Sequence, residues 1–394
     1  MLLKRLRLRH FRTYDRLDLH LLPGVTLLHG PNAAGKTNVL EAVFVLATTK
    51  SFRTRSDREL ISWNGTEEET AQRYARLEGD AEANGGPLRV EMAILEQPAR
   101  GAGDSSSRKQ FKLNGVPKRA GDVVGEVKAV LFSPDDCALV TGSPSARRRY
   151  MDLMLCQIDH RYLRLLQEYG RVLAQRNSLL QRLRGRSEPA SLLEFWDDKL
   201  IGYGVDIMAT RQAMLRVLDD FAAEAYADIS GLGEQLRVLY RPSLEDAVDS
   251  PDGRLADLFR QRLSQLQAKE IFQGMTLCGP HRDDLQFLVN GVDAGCFGSR
   301  GQQRSIALAL RLSEVRYMTN RTGEQPILLL DEALAELDDD RRHLLLRLME
   351  AHPQVLVTTA NLPSFPQEFR DRSTLLQVEP GEITVQHPAR ARAS

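Results

Sequence analysis

The feature that most constrains the fold of this chain is a glycine-bounded segment that directly follows a short apolar run, Val25–His29. The segment fits the pattern G-x-x-x-x-G-K-[ST], and its residues are Gly30, Pro31, Asn32, Ala33, Ala34, Gly35, Lys36 and Thr37. Residues 36–48 after it carry apolar side chains at helical spacing. Glycines let backbone N–H groups converge on phosphate oxygens, and the following helix directs its positive end at the same anion. The sequence therefore predicts a strand, a phosphate-binding loop and a helix.

A second apolar strand, which ends in two carboxylates, supplies the other half of the predicted site. Ile327–Leu330 is followed directly by Asp331 and Glu332. A buried parallel strand presents its functional groups at its C-terminal end, beside the phosphate loop. We expect Lys36 to contact the β- and γ-phosphates of ATP, and Thr37 and Asp331 to hold Mg²⁺. Glu332 is then placed to act as the general base, so Lys36 and Glu332 are the predicted catalytic residues.

A third segment predicts a further phosphate site. Ser299–Arg304 precedes a predicted helix, and serine is a residue type that caps helix N-termini. The N-terminus of that helix is also suited to an anion. Because the loop at Gly30–Thr37 already serves one nucleotide, we favour the interpretation that this segment serves the ATP of another subunit. The alternative is an ordinary capped helix after a glycine-containing loop.

The apolar pattern along the chain predicts an α/β fold with an inserted helical lobe. Alternation indicates strands over residues 1–30 and antiparallel strands over 66–118, whereas residues 155–183 and 196–221 step by three or four, as long amphipathic helices do. The predicted divisions are 1–145 for the N-terminal part of the ATPase lobe, 146–275 for the helical lobe, 276–385 for the C-terminal part of the ATPase lobe, and 386–394 for a disordered tail.

Composition narrows the classes of function that remain. Lys and Arg total 53, as do Asp and Glu, so any surface for nucleic acid must be a local patch or arise on assembly. The 4 cysteines have neither metal-ligand nor redox spacing, as expected for reduced cysteines in the cytosol. The sequence has no run of about 18 apolar residues and no signal-peptide core, so we expect a soluble, cytoplasmic protein without a membrane partner.

Three arginine clusters are candidates for contacts with DNA phosphates. They are Arg53, Arg55 and Arg58; Arg147–Arg149; and Arg171, Arg176, Arg182, Arg184 and Arg186. The alternative for each cluster is a solvated face or a set of ion pairs. The sequence has no recognition-helix or zinc pattern, so DNA binding is expected to be backbone-driven and salt-sensitive.

Separately, the spacing of His281 from Asp283 and Asp284 fits no common set of metal ligands, which favours a structural or site-supporting role.

The order of these motifs resembles the head of ABC-type ATPases: phosphate loop, inserted helices, capped helix, Asp-Glu strand, and then a loop at Glu336–Asp338. More narrowly, the chain resembles the RecF family of bacterial recombination mediator ATPases. We therefore predict an ABC-type P-loop ATPase head, with a mixed sheet, an antiparallel β subdomain and an inserted α-helical second lobe. The segments that carry the resemblance are Phe11–Tyr14, Gly30–Asn38, Lys50–Arg55, Asp57–Leu60, Leu131–Asp135, Arg147–Arg149, Gln175–Leu180, Gly279–Asp284 and Ser299–Arg304.

The resemblance implies a slow, DNA-stimulated ATPase that acts with RecO- and RecR-like proteins. Such proteins help to load recombinase at single-strand gaps and at junctions beside duplex DNA, as homodimers that ATP closes and hydrolysis reopens. Ser299, Gly301 and Gln302 match signature positions and would contact the partner's γ-phosphate. Asp338 would lie at the dimer seam, and Asn38 would belong to the nucleotide-binding segment.

Two departures from the broader ABC pattern lead us to predict slow hydrolysis. Ser133 and Pro134, rather than a Gln, follow the strand that ends at Phe132. Thr358–Asn361 follows a later strand, where many ABC proteins have a His that senses the γ-phosphate. Two alternatives from other classes stay open. The ATP-binding subunit of a membrane transporter would need a helical domain that docks on membrane helices, and an SMC-type clamp would need a much longer heptad arm.

Overall fold

The computed structural model describes residues 1–54, 56–63, 73–97, 106–184, 190–231, 233–244, 254–332, 334 and 337–387. The described strands are β1 (Leu2–Phe11), β2 (Tyr14–His20), β3 (Gly24–His29), β4 (Tyr74–Ala83), β5 (Gly86–Gln97), β6 (Ser106–Leu113), β7 (Val116–Lys118), β8 (Ala129–Phe132), β9 (Leu236–Arg241), β10 (Asp284–Val289), β11 (Val292–Asp293), β12 (Ile327–Asp331), β13 (Gln354–Thr359), β14 (Thr374–Glu379) and β15 (Glu382–His387). The described α-helices are α1 (Lys36–Thr48), α2 (Cys137–Thr141), α3 (Pro144–Ile158), α4 (His160–Leu183), α5 (Glu194–Ser230), α6 (Leu255–Gln273), α7 (Ala294–Phe297), α8 (Arg300–Thr322), α9 (Asp339–Ala351) and α10 (Gln367–Asp371).

Contacts between residues divide the chain into two units. The first unit comprises Met1–Asp135 with Met318–Ser394, and the second comprises Asp136–Tyr317. The predicted division returned to the ATPase lobe at residue 276, whereas residues 276–317 are grouped here with the helices. The reason is local, because β10 pairs with β9 along its whole length and α3 packs against β10.

The first unit contains a mixed sheet with the strand order β15-β14-β3-β13-β12-β8. All neighbouring pairs are parallel except β14 and β15 at one edge. The central strands are continuous apolar runs, since parallel strands are covered on both faces, and every residue of β8 and β13 is buried. β13 therefore lies between β3, which leads into the phosphate loop, and β12, which ends at Asp331.

A second sheet of the first unit is antiparallel, in the order β2-β1-β4-β5-β6-β7. Alternation gives it an apolar face, to which Leu6, Leu8 and Leu77 contribute fully buried side chains, and a charged outer face. Asn114 and Gly115, with φ of 50° and 80°, form the tight turn between β6 and β7 that the sequence predicted. Together with the mixed sheet, this confirms the predicted ATPase head with an antiparallel β subdomain.

The second unit is mainly helical and contains the three-stranded sheet β11-β10-β9. Its long helices α4, α5 and α6 pack against one another. α4 and α5 account for most of the two helices predicted over 155–183 and 196–221, but residues 155–158 belong to α3, because the chain leaves the helical conformation at Asp159, which caps α4. One cluster, formed by Leu179, Leu180, Leu183 and Leu193, also contacts Trp196. No helix in the described ranges is long and apolar enough to cross a membrane.

The C-terminal boundary differs from the prediction. Residues 386 and 387, assigned to a disordered tail, complete β15, because this strand pairs with β14 as far as His387. The rest of the predicted tail, residues 388–394, lies outside the described residues.

Candidate nucleotide-binding site

The carboxyl ends of three adjacent parallel strands form the candidate site. β3 leads into Gly30–Thr37, β12 ends at Asp331, and β13 lies between them with Thr358 opposite Asp331. Functional groups of open α/β sheets collect at this edge, outside the carboxyl ends of the strands. The structure thus brings together the two segments that the sequence predicted as halves of one site.

The loop Gly30–Thr37 has a backbone that excludes side chains at two positions. A Cβ at Gly30 would lie 2.2 Å from the carbonyl oxygen of Val378, and a Cβ at Gly35 would lie 2.8 Å from Thr13 Oγ1. Gly35 is the N-cap of α1, has a φ of 108°, and offers no side chain to the first N–H groups of the helix. The first turn of α1 also has no acidic residue, so this helix end is suited to an external anion.

The Lys36 ammonium is held mainly by the backbone of its own loop. Its side chain is only 4% exposed, and Nζ donates to the carbonyl oxygens of Gly30 at 2.9 Å and Pro31 at 3.0 Å. Its one ion pair within the described ranges, to Glu332 Oε1, is long at 3.6 Å. A charge-assisted hydrogen bond is normally about 2.7–2.9 Å long. The ammonium is therefore positioned but lacks a close anionic partner.

Thr37 and Asp331 form the part of the site that fits a divalent cation. Thr37 Oγ1 donates to Asp331 Oδ1 at 2.7 Å, so a hydroxyl and a carboxylate oxygen meet beside the loop. Such hard oxygen ligands suit Mg²⁺, which keeps several waters and takes its other ligands from one or two protein groups and from phosphates. The donor set therefore fits magnesium bound together with a nucleotide.

Glu332 combines a constrained backbone with an accessible carboxylate. Its φ is 49°, a region that costs a residue with a Cβ roughly 1–2 kcal/mol. Its N–H donates to Thr358 Oγ1 at 3.0 Å, and its side chain is 39% exposed at the wall of the cleft. Constrained residues of this kind persist when the surrounding structure enforces them, and they concentrate at functional sites.

A cleft of about 400 Å³ lies beside the loop and is lined by basic and acidic side chains and one tryptophan as well as by the loop itself. Arg12, Arg53 and Trp63 contribute to its wall. Trp63 is 75% exposed, and the Arg73 guanidinium lies 5.3 Å from the centroid of its ring. The cleft is within the size range of small-molecule sites and can accept a nucleotide.

A completely buried carboxylate fixes Arg12 at this wall. Glu41, on α1, accepts from Arg12 Nε at 2.8 Å and from Arg12 Nη2 at 2.7 Å, and it also accepts from Ser51 Oγ. Arg53 donates to Asn38 Oδ1 at 2.9 Å, which ties this predicted nucleotide-binding residue to the same wall. A bidentate pair of this kind has a defined geometry. The cationic wall is therefore pre-oriented.

Three residues of this site were not identified from the sequence as site residues. Glu41 had a signal, because it is the one acidic residue of α1 and lies between apolar residues. Tyr14 donates to the carbonyl oxygen of Gly35 at 3.1 Å, and burial raises the pKa of its phenol well above the usual range, so it remains a donor. Thr358 was noted only as a departure from the ABC pattern. Its position opposite Asp331 follows from sheet register, which the sequence does not contain.

The predicted signature segment lies in the second unit, at the start of α8. Ser299 Oγ accepts from the N–H of Gln302 at 3.2 Å, and Gln302 Oε1 accepts from the N–H of Ser299 at 2.9 Å. This reciprocal arrangement is a capping box, and it confirms that Ser299 caps the helix. Gln302 Nε2 also donates to Glu234 at 2.8 Å, and Gly301 occupies the first turn. The role of these residues at a partner's nucleotide stays a prediction.

Asp338 is the N-cap of α9. Its Oδ1 accepts from the N–H of Arg341 at 3.0 Å, and it forms an ion pair with the Arg341 side chain. Glu336, from the same predicted loop, lies outside the described residues. The placement of Asp338 at a dimer seam stays a prediction.

Two of the arginines predicted to contact DNA are buried within the second unit. Arg176 is 0% exposed and is paired with Asp197 at 2.6 Å and Glu270 at 2.7 Å. Arg147 is 9% exposed and donates through two nitrogens to Asp284. For these two candidates the structure supports the alternative, because their guanidinium groups are paired with acids of the same unit.

Two other members of these clusters are also paired with acids. Arg58 pairs with Glu96 at 2.7 Å, and Arg171 pairs with Glu168 at 2.5 Å. Two further members, Arg55 and Arg186, lie outside the described residues.

His281 has partners on both ring nitrogens. Nδ1 lies 2.7 Å from the Tyr169 hydroxyl, and Nε2 lies 3.2 Å from the carbonyl oxygen of Thr276. Burial lowers the pKa of this imidazole to about 4. In the part of the chain that the structure describes, no group of three or more His, Cys, Asp or Glu side chains could hold a metal. These contacts support a structural role for His281.

Comparisons with known proteins place nearly the whole chain in one family. The family described as RecF/RecN/SMC N terminal domain matches residues 2–382. The DNA replication and repair protein RecF of Chloroflexus aurantiacus is 42% identical, over 97% of this chain and 99% of the relative. A solved structure of the recombination mediator protein RecF with ATP in the RecFOR pathway is 29% identical, covers 98% of both chains and has a TM-score of 0.86. The Smc head domain of Pyrococcus furiosus shares the fold, with 16% identity, a TM-score of 0.54, and coverage of 98% of this chain and 96% of that one. From these similarities and the geometry of its site, the chain belongs to the RecF family.

Proposed function

We propose that this chain is an ATP-dependent, DNA-binding protein of recombinational repair and replication, which dimerises on ATP and hydrolyses it slowly. The observation that carries the proposal is the meeting of Lys36, Thr37, Asp331 and Glu332 at one edge of a parallel sheet. The names of the relatives, DNA replication and repair proteins, support the biological role. The similarity to a RecF structure with ATP supports the ligand.

The site residues have distinct parts in the proposed reaction. Gly30–Asn38 would surround the phosphates, with the N–H groups at the start of α1 and the Lys36 ammonium on the β- and γ-phosphate oxygens. Thr37 and Asp331 would hold Mg²⁺. When bound, Mg²⁺ supplies positive charge that stabilises the oxygens of the transferred phosphoryl group. Glu332, accessible at the cleft wall, would orient the attacking water and accept its proton.

A second copy of the chain is proposed to complete each site. Ser299, Gly301 and Gln302 start the long helix α8, and the capping box holds the Ser299 and Gln302 side chains in one arrangement. A pre-ordered helix N-terminus is suited to a γ-phosphate presented by a partner. Asp338, at the start of α9, would lie at the seam. Because Thr358–Asn361, rather than a His, stands at the end of β13, we propose that hydrolysis is slow. Stimulation by DNA is proposed from the family resemblance.

Two unpaired arginines on the outer face of the antiparallel sheet support a contact with DNA phosphates. Arg9 on β1 and Arg16 on β2 are directly opposite and exposed, and neither guanidinium has an ion pair or hydrogen bond to another described side chain. Like charges placed in this way repel each other. Elsewhere on this face, arginines are paired, as Arg89 is with Asp80. A phosphate backbone would neutralise the pair without reading sequence.

Proteins of the RecO and RecR kind are the proposed partners. This proposal is supported by the structurally similar RecF–ATP protein, which is described as part of the RecFOR pathway. Duplex DNA, single-strand gaps and junctions are the proposed substrates. The family match favours this interpretation over a transporter subunit and over an SMC-type clamp.

The proposed dimerisation is tested by measuring mass in solution with and without ATP and duplex DNA. We expect wild-type chain to be mainly monomeric without nucleotide, and Glu332→Gln to accumulate as an ATP-bound dimer on DNA, because binding is retained while the proposed base is lost. The matched control is Glu332→Gln combined with Ser299→Arg, which should bind ATP as a monomer. If neither wild-type chain nor Glu332→Gln dimerises with ATP, the trans role of the α8 N-terminus is contradicted.

The proposed DNA contact is tested by salt titration of duplex DNA binding. Arg9→Ala and Arg16→Ala should each weaken binding at all sequences and reduce the slope of log affinity against log salt by about one. Arg89→Ala, which makes the same change in net charge on the same face but removes a paired arginine, is the control and should leave the slope unchanged. Equal effects of all three substitutions would mean that general charge, rather than this pair, determines binding.

A further inference from the structure

Thr358 lies at the point where the two halves of the site meet. It is on β13, the strand between β3 and β12, and its side chain is 1% exposed. Along the sheet it pairs with Asp331 on one side and with Leu28, two residues before Gly30, on the other. No role follows for this residue from the phosphate loop or the Asp-Glu strand alone.

The Thr358 hydroxyl contacts both carboxylate residues of the site. Thr358 Oγ1 donates to Asp331 Oδ1 at 2.8 Å and accepts from the N–H of Glu332 at 3.0 Å. A hydroxyl has one proton to donate and two lone pairs, so both bonds can exist together. The carbonyl oxygen of Leu330 lies further away, at 3.5 Å, and competes poorly for the proton. One oxygen atom thus links the side chain of Asp331 to the backbone of Glu332.

Each contact constrains a group with a chemical task in the proposed function. Asp331 Oδ1 accepts from both Thr358 and Thr37, so its orientation is fixed from a buried strand as well as from the loop. The N–H contact holds Glu332 at its φ of 49°, a conformation that a residue with a Cβ rarely adopts unaided. Hydrogen bonds to metal-ligating carboxylates orient them and tune their affinity.

We propose that Thr358 is a positioning residue whose hydroxyl sets the metal-ligating oxygen of Asp331 and the backbone of Glu332 in one arrangement. The inference rests on the proposed ATPase function and adds to it a buried residue that acts through Asp331 and Glu332. In this chain, the site is thereby organised from inside the sheet.

The test compares Thr358→Val, which keeps the shape but removes the hydroxyl, with Thr358→Ser, which keeps the hydroxyl. The matched control is Thr26→Val, because Thr26 is 1% exposed on β3 in the same sheet and its hydroxyl has no hydrogen-bond partner among the described residues. The first readout is Mn²⁺ binding, followed by electron paramagnetic resonance, to full-length chain saturated with a non-hydrolysable ATP analogue. The second is steady-state ATP hydrolysis as a function of Mg²⁺, with kcat and KM for ATP determined separately.

We expect Thr358→Val to weaken Mn²⁺ binding and lower kcat by about 10- to 100-fold, the usual effect of removing an outer-shell partner. Binding of ATP without metal should be unchanged, because Lys36 and the loop are intact. Thr358→Ser and Thr26→Val should match wild type in both readouts. Should Thr358→Val fail to fold, Thr358→Cys, of similar size but with a weak donor, is measured in its place and is expected to show the same two losses.

Three results would overturn the proposal or separate it from the proposed function. If wild type binds metal with nucleotide and hydrolyses ATP while Thr358→Val changes neither, the positioning role alone is wrong. If Thr358→Ser is impaired as strongly as Thr358→Val, the residue acts through packing rather than through its hydroxyl, and the proposal is wrong. If wild type shows neither metal binding with nucleotide nor hydrolysis, the proposed function and this inference fail together.

Discussion

Buried cationic side chains occur in both units, but the two units satisfy them differently. In the second unit, Arg176 is 0% exposed and donates to Asp197, Thr276 and Glu270, at distances of 2.6–2.8 Å. In the first unit, Lys36 is 4% exposed and has two backbone carbonyl oxygens and one carboxylate oxygen at 3.6 Å. The Arg176 guanidinium is neutralised by two nearby carboxylates, whereas the Lys36 ammonium is held by carbonyl oxygens and has its carboxylate partner at a longer distance.

This difference separates a charge that is compensated within the protein from one that is suited to a ligand. Burying a charge is costly unless it is paired and hydrogen-bonded. The Arg176 guanidinium is paired and hydrogen-bonded within its own unit, so it is not suited to bind a ligand. The Lys36 ammonium meets it only in part, and a phosphate would complete its shell. Burial and residue type alone do not distinguish the two cases; the number and charge of the partners do.

The largest effect is expected from breaking the internally compensated network. Arg176→Leu leaves Asp197 and Glu270 without their cation, and the second unit should lose about 3–5 kcal/mol of unfolding free energy. Urea unfolding followed by Trp196 fluorescence reports on this unit, since Trp196 packs against its leucine cluster. The background carries Trp63→Phe, because the chain has 2 tryptophans.

The control for this prediction is an exposed arginine of the same helix. Arg171 is 71% exposed and pairs only with Glu168 within the described residues, so Arg171→Leu should cost about 1 kcal/mol or less. Equal losses for the two variants would mean that the buried network is not stabilised by its arginine.

The reverse pattern is expected at the phosphate loop. Lys36→Met keeps the aliphatic stem but removes the ammonium, and ATP hydrolysis should fall about 10²- to 10³-fold, the usual effect of losing a preorganised donor at developing charge. The unfolding free energy should change by only about 1 kcal/mol, because the lost partners are two backbone carbonyl oxygens. ATP hydrolysis and urea unfolding are measured in parallel for Lys36→Met. The comparison between Lys36 and Arg176 is refuted if Lys36→Met lowers the unfolding free energy as far as Arg176→Leu does.

Most of the elements, and both halves of the candidate nucleotide site, could be predicted from the sequence. Each half is a short continuous segment, Gly30–Thr37 in one case and Asp331-Glu332 in the other. The strand and helix patterns around each segment indicate where it must lie. The partners of Thr358, Glu41 and Arg176 could not be predicted, because they come from residues distant in sequence. Thr358 meets Asp331 through strand register, and Arg176 meets Glu270 through the packing of α4 and α6. An arginine cluster in a sequence is equally compatible with DNA and with internal acids until those partners are known.

A gradual effect is expected from pH, and it concerns the second unit alone. Burial lowers the pKa of His281 to about 4 from its ordinary value of 6.5. Between these values the unfolded chain binds the proton more readily than the folded chain, so stability falls as pH drops from 6.5 to 4, by up to about 3 kcal/mol. Asp283 acts in the opposite direction, because burial raises the pKa of its carboxyl. His281→Gln should therefore flatten the decline in Trp196-monitored stability over this window while leaving the contribution of Asp283 in place. An unchanged pH profile in His281→Gln would show that burial of the His281 imidazole does not cause the decline.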